Sequence, residues 1–325
     1  MPVYTDQINI MTSSDDKLIP KIKVQMEAIS RSLSTREINF FLFHDGKSFE
    51  AIEFLHRFSE HYSNIHFFDI AVQQVDLYDR LSVMGGGQIW GGAAYYSLCA
   101  YQYLPSSMDR ILYLDAGDTL VIHSIDEFYS ANFHGRSLLA VAGCFKRLNQ
   151  DFVLYEKDDL FNSIHVARVL RGLFNSGSYL INLEKFRVAG LTIEDCLQFA
   201  EALCALVGKD KEVYWGDQGF LSALFVGDIQ FHKYPEIKNI WYMPYNFCMW
   251  YFDRMVQKPE YKPCILHYAG TPFKPWHAAY PVFCEQFQER NGLRSLDELK
   301  LGQAEYYYLW HEYAMLAEQR EVGKI

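Results

Sequence analysis

Short apolar runs alternate with amphipathic segments along the first part of the chain. Apolar runs extend from Ile8 to Asp16 and from Ile38 to Asp45, and a third begins at Asn64. The segments after the first two runs place apolar residues three or four positions apart, which is helical spacing. Because strands that alternate with helices favour a parallel sheet covered on both faces, the pattern predicts an α/β fold with a mostly parallel central sheet.

Later segments continue this pattern with more irregular connections. Five glycines fall within residues 85–92 and indicate a loop or a close backbone approach, and a helix is predicted from Ala93 to Tyr103. Residues 146–168 are polar and irregular, as expected of a lid or an insertion. Without an internal repeat or a Gly/Ser linker, the chain is predicted to form one α/β domain over residues 1–280 and a C-terminal helical appendage over residues 281–325.

Five further segments are predicted to contain strands or helix starts. They are an apolar strand interrupted by a turn (110–121), a strand (137–145), a turn followed by a strand and a helix start (174–187), a helix with an Asp-Gln pair on its first turn (213–225), and a strand near Cys264. These segments carry most of the polar residues considered below.

Composition and charge narrow the class of ligand. The chain has 325 residues, of which 50% are hydrophobic, and a formal net charge of -10. A protein that binds nucleic acid through phosphates normally presents a basic surface, so nucleic acid is not an expected partner. An anionic small ligand would need a divalent metal or a few well-placed lysines.

Cysteine usage and hydropathy indicate a compartment. The seven cysteines are scattered, odd in number and without a CxxC pair, which is typical of reduced thiols in the cytoplasm. No apolar run approaches the roughly 20 residues that a transmembrane helix needs. The aromatic tail near Tyr306 has three interpretations: peripheral membrane contact, an oligomer interface, or core packing. The negative charge favours the last two.

Asp115 and Asp118 follow an apolar strand, at the end of a sheet where α/β proteins place ligands. Two neighbouring buried carboxylates repel each other, and a hard divalent cation is the usual way to offset that repulsion. The alternative is an ordinary turn in which one carboxylate caps the loop and the other is solvated. The motif alone favours neither interpretation.

Two further segments carry polar residues at the ends of apolar runs. His267 ends one such run, and Gly270 and Lys274 follow it as a site of close backbone approach and a compact cation for phosphate. Asn175 precedes another run and could bind sugar hydroxyls, although a tight turn explains it nearly as well. A lone histidine such as His267 is more often a core residue than a ligand.

Four remaining candidates lie at element ends. Asp217 and Gln218 are predicted at the start of a helix, where a capping role is the simpler explanation. Asp15 and Asp16 follow the first strand and could accept hydrogen bonds from a base or a ribose, or simply begin the next helix.

In order, these segments resemble glycosyltransferase family 8, which includes bacterial lipopolysaccharide galactosyltransferases and glucosyltransferases and glycogenin. The resemblance runs from about Ile8 to Trp276 and rests on INIMTSSDD, RILYLDAGDTLV, FNSGSYLINLEKFR and ILHYAGTPFKPW. It implies a GT-A fold, a UDP-hexose donor, Mn²⁺ or Mg²⁺, and transfer to a glycan or glycolipid hydroxyl with retention of configuration. The nucleotide-sugar and catalytic functions would lie within residues 1–280.

The resemblance also implies roles for individual residues. It places Asp115, Asp118 and His267 at the metal, with Asp115 also near the ribose. Gly270 and Lys274 match positions that hold the diphosphate. Asp15 matches a residue that contacts the uracil base, and Asn175, Asp217 and Gln218 match residues around the donor sugar and the reacting carbon.

Three positions depart from the family pattern. The acidic motif is Asp-Ala-Gly-Asp, one residue longer than Asp-x-Asp, and Gly117 provides the backbone freedom that the extra residue requires. Lys17 and Leu18 stand where an Asn-Tyr pair is common, and Ser97 stands where an arginine is common. We therefore expect the acidic motif to be supported by other residues.

Two other functions compete with this hypothesis. The segment LYLDAGDTLV also resembles the strand motif of haloacid-dehalogenase phosphatases, although its spacing differs by one residue and the histidine segment would then be unexplained. A non-catalytic nucleotide-sugar-binding relative is the third hypothesis, motivated by the lengthened acidic motif.

Overall fold

A computed structural model describes most of the chain. The described residues are 7–15, 17–87, 91–142, 169–208, 212–232, 236–237, 240–241, 247–248, 263–269, 274–277 and 305–325. None of the helices in this part of the chain has the length and apolar character that crossing a bilayer requires. The predicted lid at 146–168 lies outside the described residues.

The central feature is a mixed sheet of seven strands in the order β3-β2-β1-β4-β7-β6-β8. Its strands are β1 (Gln7–Ser13), β2 (Glu37–His44), β3 (Ile65–Ala71), β4 (Arg110–Leu114), β6 (Leu138–Ala142), β7 (Phe174–Asn182) and β8 (Ile229–His232). Only β7 runs antiparallel to its neighbours, so four of the six pairings are parallel. The predicted mostly parallel sheet is confirmed.

Two small sheets accompany the central one. One contains β5 (Thr119–Val121), β11 (Phe247–Cys248) and β12 (Ile265–His267), and the other pairs β9 (Glu236–Ile237) with β10 (Ile240–Trp241). Strand β12 pairs antiparallel with β5, in a register that sets His267 opposite Thr119. This pairing brings the histidine segment to the acidic turn between β4 and β5.

Helices follow the strands as the apolar spacing predicts. The α-helices are α1 (Ile22–Ser32), α2 (Phe49–Ser59), α3 (Val75–Met84), α4 (Asp126–Tyr129), α5 (Leu183–Ala189), α6 (Ile193–Val207), α7 (Gly216–Leu224) and α8 (Glu305–Glu321), and Ile19–Lys21 and Gly92–Gln102 form 3₁₀ segments. Helix α6 shows local control of its ends: Thr192 and Asp195 form a capping box, and Gly208 ends the helix in the left-handed conformation.

The core lies on both faces of the central sheet. Successive strand side chains point to opposite faces, so Ile111 and Tyr113 of β4 enter one apolar cluster, whereas Leu112 and Leu114 enter the other. The first cluster is covered by the 3₁₀ segment Gly92–Gln102 and by α6 and α7. The second is covered by α1 and α2, and Ala317 of α8 also contributes to it. Burial on both faces explains why the sheet strands read as continuous apolar runs.

One local prediction differs from the structure. Asn175 and its neighbours lie inside β7 and not in a turn before it, because the strand continues to Phe174 and pairs with Ala142 across a register shift. The helix predicted from Ala93 to Tyr103 is present from Gly92 to Gln102, as a 3₁₀ helix with a kink at Cys99.

Candidate metal centre

Three ligand-type side chains converge where β4 ends. Oxygen atoms of Asp115 and Asp118 and a ring nitrogen of His267 all lie within 4.8 Å of one another. His267 Nε2 is 3.3 Å from Asp115 Oδ2 and 3.6 Å from Asp118 Oδ2. Asp118 and His267 are almost completely buried, whereas the Asp115 side chain is one-third exposed. The cluster therefore has one side open to a ligand.

Asn175 fixes which nitrogen of His267 faces the carboxylates. The Gly177 N–H donates to Asn175 Oδ1 over 3.0 Å, so this oxygen is an acceptor, and His267 Nδ1 lies 2.8 Å from it. Nδ1 must then donate to Asn175, and Nε2 is the ring nitrogen that faces the two aspartates. Gly177 makes room for this arrangement, because a β-carbon there would collide with the imidazole.

The backbone of the acidic turn is held by neighbouring elements. Gln25 of α1 donates from Nε2 to the Asp115 carbonyl over 3.1 Å and to Thr119 Oγ1 over 2.6 Å, and the Thr119 hydroxyl donates to the same carbonyl over 2.7 Å. The Tyr268 N–H donates to the Asp118 carbonyl over 2.8 Å. Each aspartate carbonyl is thus fixed while its carboxylate stays available.

A pair of tyrosines supports Asp115 from the sheet interior. Tyr113 stacks on Tyr179 at 4.9 Å between ring centroids, and its hydroxyl lies 3.1 Å from Ser13 Oγ. The Tyr179 hydroxyl donates to Ser97 Oγ over 2.7 Å. Burial alone would raise the pKa of Asp115, but hydrogen bonds from His267 and Tyr113 and the charge of Lys274 hold that pKa below its usual range.

These tyrosines provide support for the acidic motif at the place where Ser97 replaces the arginine common in the family. A serine cannot supply the charge of an arginine, but here it accepts a hydrogen bond from Tyr179, and the stacked Tyr113 contacts Asp115. Neutral hydroxyl groups are therefore part of the support that the acidic motif receives in place of an arginine, together with the Gln25 amide. Neutral donors orient a carboxylate without cancelling the negative charge that a metal would require.

Lys274 lies against the same cluster. Its ammonium group forms an ion pair with Asp118 Oδ2, and its side chain is about one-quarter exposed. Burial lowers the pKa of Lys274 to about 8, and the charge of Asp115 opposes that shift. The lysine is therefore mostly protonated at neutral pH, and the structure places a cation against the buried aspartate of the centre.

Asp217 is a second unusual carboxylate. It is 6% exposed on the first turn of α7, and among the described residues its Oδ2 atom has no hydrogen-bond partner. Burial and the charge of Asp115 raise the pKa of Asp217 to about 7, although a hydrogen bond with Ser176 opposes the shift. The neighbouring Gln218 makes a different contact: its Nε2 donates to the Arg171 carbonyl over 2.8 Å, and Arg171 is not a residue of the metal cluster.

The remaining candidate residues from the sequence are not part of the three-residue metal cluster. Asp15 lies two residues after the end of β1, which pairs with β4, and its Oδ1 accepts from the Lys17 N–H over 3.1 Å. Asp16 and Gly270 lie outside the described residues. The predicted roles of Asp15, Asn175 and Gln218 at the donor stay predictions.

The donor set fits a divalent cation. Two carboxylates and one imidazole are ligands that Mn²⁺ accepts, while Mg²⁺ prefers the oxygens. Asp118 Oδ1 is buried and has no hydrogen-bond partner among the described residues. Such an atom is costly unless a positive charge approaches it.

Three supporting residues were absent from the sequence-based candidates. Gln25 sits on the buried face of α1, Tyr113 occupies an inward position of β4, and Trp310 of α8 donates to the Gly117 carbonyl over 2.8 Å. The available signal for the first was a polar residue at an apolar helical position. No local signal marks the other two, because buried tyrosine and tryptophan are ordinary core residues.

Comparison with known proteins gives a family match along most of the chain. The model of the family described as Glycosyl transferase family 8 matches residues 9–279. The lipopolysaccharide 1,2-glucosyltransferase of Escherichia coli K12 is 28% identical over 207 residues, which are 62% of this chain and 55% of that protein. The lipopolysaccharide 1,3-galactosyltransferase of Salmonella typhimurium LT2 is 24% identical over 286 residues, 85% of this chain and 76% of that protein. The match thus spans about half the length of the first relative.

Solved structures agree on the fold. Galactosyltransferase LgtC, determined in complex with donor and acceptor sugar analogues, superposes with a TM-score of 0.59 at 21% identity, covering 88% of this chain and 95% of LgtC. The glycosyltransferase GlyE of Streptococcus pneumoniae TIGR4 gives a TM-score of 0.55 at 17% identity, covering 97% of this chain and 62% of GlyE. The GT-A fold expected from the sequence is confirmed.

Proposed function

Since the chain belongs to glycosyl transferase family 8, we propose that it transfers glucose or galactose from a UDP-sugar to a hydroxyl group of a glycan or glycolipid, with Mn²⁺ or Mg²⁺ and with retention of configuration. The family identifies the protein as a glycosyltransferase. The donor, the metal and the acceptor are the proposed parts.

One observation carries the proposal. Asp115, Asp118 and His267 meet at the end of β4, and the buried Asp118 Oδ1 atom has no hydrogen-bond partner among the described residues. In open α/β sheets, ligands bind at the carboxyl ends of the strands. A diphosphate would bring negative charge to this edge, and the three side chains can hold the cation that such a ligand requires.

The proposed chemistry needs stabilisation of a leaving group. When the glycosidic bond breaks, the diphosphate gains negative charge, and a divalent cation held by the two aspartates and His267 would stabilise that charge. Lys274, which pairs with Asp118 and is about one-quarter exposed, would bind a diphosphate oxygen as a second positive group. Asn175 keeps His267 in the ring orientation that this arrangement needs.

Retention allows two routes on this chain. In the first, the acceptor hydroxyl attacks from the face that the diphosphate leaves, and the departing phosphate oxygen accepts the proton. In the second, ionised Asp217 attacks the sugar carbon as the diphosphate leaves, and the acceptor hydroxyl then displaces Asp217 from the opposite face and loses its proton to the released carboxylate. Gln218 is a poorer nucleophile. Burial and the charge of Asp115 raise the pKa of Asp217 to about 7, so its ionised form is accessible near neutral pH and both routes stay open.

The partners follow from the same chemistry. A nucleotide-sugar donor and a glycan or glycolipid acceptor are proposed, by extension from the lipopolysaccharide glycosyltransferases that the chain is similar to. A cytoplasmic location is part of the proposal and is supported by the buried thiols of Cys99 and Cys196, which form no disulfide. The role of the aromatic tail as an oligomer interface or a peripheral membrane contact stays a prediction.

A thermal-shift panel tests the donor and the metal together. The protein is melted with UDP-glucose, UDP-galactose, UDP-N-acetylglucosamine and GDP-mannose, each with Mn²⁺, with Mg²⁺ and with EDTA. A ligand at about 100 times its dissociation constant should add about 2.7 kcal/mol to the free energy of unfolding. We expect this gain for a UDP-hexose in the presence of metal and its absence in EDTA.

Donor hydrolysis completes the test. Slow, metal-dependent release of UDP from the stabilising donor would exclude a non-catalytic relative. Activity on phosphosugars without any turnover of nucleotide-sugars would instead favour the phosphatase hypothesis. If no nucleotide-sugar stabilises the protein and none is hydrolysed, the proposed donor class is wrong.

A further inference from the structure

Helix α8 reaches the acidic turn through one side chain. The Trp310 indole N–H donates to the Gly117 carbonyl over 2.8 Å, and Trp310 is only 5% exposed. Gly117 lies between Asp118 and the rest of the turn, within the motif that is one residue longer than the family pattern. The contact therefore joins the end of the chain to the residue beside a candidate metal ligand.

Gly117 is a position where the backbone needs external support. Its φ of +73° lies in the left-handed region, and a β-carbon there would lie 2.7 Å from the Lys21 side chain. Glycine has the widest backbone freedom of all residues, so this part of the turn is the easiest to displace. The carbonyls of Asp115 and Asp118 are held by α1 and β12, and Trp310 provides the corresponding restraint at Gly117.

Helix α8 is well placed to transmit that restraint. Near its C-terminal end, Arg320 pairs with the buried Glu27 of α1 at 2.7 Å. At its N-terminal end, the Tyr268 hydroxyl donates to the Tyr306 carbonyl over 2.5 Å, and the Trp310 ring lies 5.5 Å from the ring of Trp276. The contacts near the N-terminal end hold the indole against the turn, whereas the Arg320 pair anchors the opposite end of the helix on α1.

We propose that Trp310 is a positioning residue for the metal centre: its hydrogen bond to Gly117 holds the lengthened turn so that Asp118 stays within reach of the cation bound by Asp115 and His267. This inference rests on the proposed function, because it assumes the metal. If the inference is right, helix α8 contributes to metal binding, although it lies in the predicted C-terminal appendage.

The test separates the N–H group from the ring. Replacing Trp310 by benzothienylalanine keeps the bicyclic shape and removes the N–H, and Trp310→Phe removes the N–H with part of the ring. Mn²⁺ binding is measured by electron paramagnetic resonance and titration calorimetry on the full chain. Loss of an outer contact of this kind weakens metal binding about tenfold, and we expect that change for both variants.

Arg320→Met is the matched control. It loosens the same helix near its other end, away from the turn, so it should lower the melting temperature while the dissociation constant for Mn²⁺ changes less than twofold. A kinetic comparison adds a second readout: the Trp310 variants should need more Mn²⁺ for half-maximal turnover and should recover their rate at saturating Mn²⁺.

Each outcome decides a different point. If wild type binds Mn²⁺ and the benzothienylalanine protein binds it equally well, the positioning role is wrong while the metal site stands. If Arg320→Met weakens Mn²⁺ binding as much as the Trp310 variants, the effect belongs to helix docking in general, and the inference is again wrong. If wild type binds no Mn²⁺, the proposed metal centre itself fails, and the inference fails with it.

Discussion

Glu27 and Asp118 are both buried carboxylates, with exposures of 0% and 2%, and their surroundings differ sharply. Both oxygens of Glu27 are satisfied: Arg31 and Arg320 contact it, and the Tyr62 hydroxyl donates to it over 2.6 Å. Asp118 has an ion pair with Lys274 through one oxygen, while its other oxygen has no hydrogen-bond partner among the described residues.

The difference separates a stabilising carboxylate from one suited to a ligand. A buried charge with all its hydrogen bonds made is tolerated within the fold, and removing one partner destabilises the protein. A buried charge with an unsatisfied atom lowers stability until a cation arrives. Glu27 should therefore matter for folding and little for metal binding, and Asp118 should show the opposite behaviour.

The largest expected effect is that of Asp118→Asn on turnover. The amide keeps the size of the side chain but removes the charge that would hold the cation, which supplies several kcal/mol of transition-state stabilisation. We expect the transfer rate to fall about 1,000-fold, equivalent to about 4 kcal/mol. Initial rates of UDP release across a Mn²⁺ series give the measurement.

The same variant should leave the fold intact. Without metal, its melting temperature should differ from that of wild type by no more than about 3 °C, because the lost ion pair is offset by removal of an unsatisfied charge. Addition of Mn²⁺ should stabilise wild type and not the variant. Full Mn²⁺-dependent activity in Asp118→Asn would remove Asp118 from the metal centre.

Glu27→Gln should produce the reverse pattern. The amide cannot neutralise Arg320 and Arg31, so the free energy of unfolding should fall by about 3 kcal/mol, near the lower end for a broken buried pair because hydrogen bonding is partly kept. Urea denaturation at pH 7 measures this loss. The dissociation constant for Mn²⁺ should stay within twofold of wild type, and a tenfold weakening would contradict the separation of the two regions.

The pH dependence gives a second measurement of the same contrast. Burial opposes ionisation of Glu27, but its hydrogen bonds with Arg320, Tyr62 and Arg31 hold its pKa below the usual value of 4.5. A carboxyl with a lowered pKa in the folded state contributes stability that is fully present above the unfolded value and is lost as pH falls through the folded value. The difference between wild type and Glu27→Gln should thus be constant from pH 7 to about pH 5 and shrink at lower pH. A difference that does not change down to pH 3 would show that charge is not its cause.

Only some features of the fold and of the metal centre could be predicted from local sequence. The alternation of apolar runs with amphipathic segments was enough to predict the parallel strands, and the ends of those runs identified Asp115, Asp118 and His267. Pairing of β12 with β5 was not predictable, because it joins residues about 150 positions apart through a short strand. Asn175 was assigned to a turn, since its place inside β7 depends on a register shift with β6 that no local pattern encodes.

Supporting groups were harder still to predict from sequence. Arg320 meets Glu27 across 293 positions, and Trp310 meets Gly117 across 193. Each is an ordinary residue for a helix on the protein surface, and its role exists only because α8 packs on α1. Prediction from sequence thus found the residues with distinctive chemistry and missed the residues that place them.

Gln25→Leu tests the boundary between the two regions and has the smallest expected effect. Gln25 lies two residues from Glu27 on α1, yet its amide nitrogen holds the Asp115 carbonyl and Thr119, so it belongs to the metal region by contact. Leucine removes this donor, while Thr119 still donates to the carbonyl. The dissociation constant for Mn²⁺ should rise about tenfold, the lower end for a supporting contact of a metal site.

Stability should change little in the same variant, by about 1 kcal/mol or less, because the leucine also removes a buried Gln25 Oε1 atom that has no hydrogen-bond partner among the described residues. Ser30→Ala is the control: it deletes a hydrogen bond of 2.8 Å to Asn64 from the same helix without touching the turn, and it should leave Mn²⁺ binding unchanged. If Gln25→Leu instead costs several kcal/mol of stability and binds Mn²⁺ normally, then Gln25 acts as Glu27 does. Helix α1 would in that case support the fold at both positions, and the geometry of the acidic turn would depend on β12 and α8 alone.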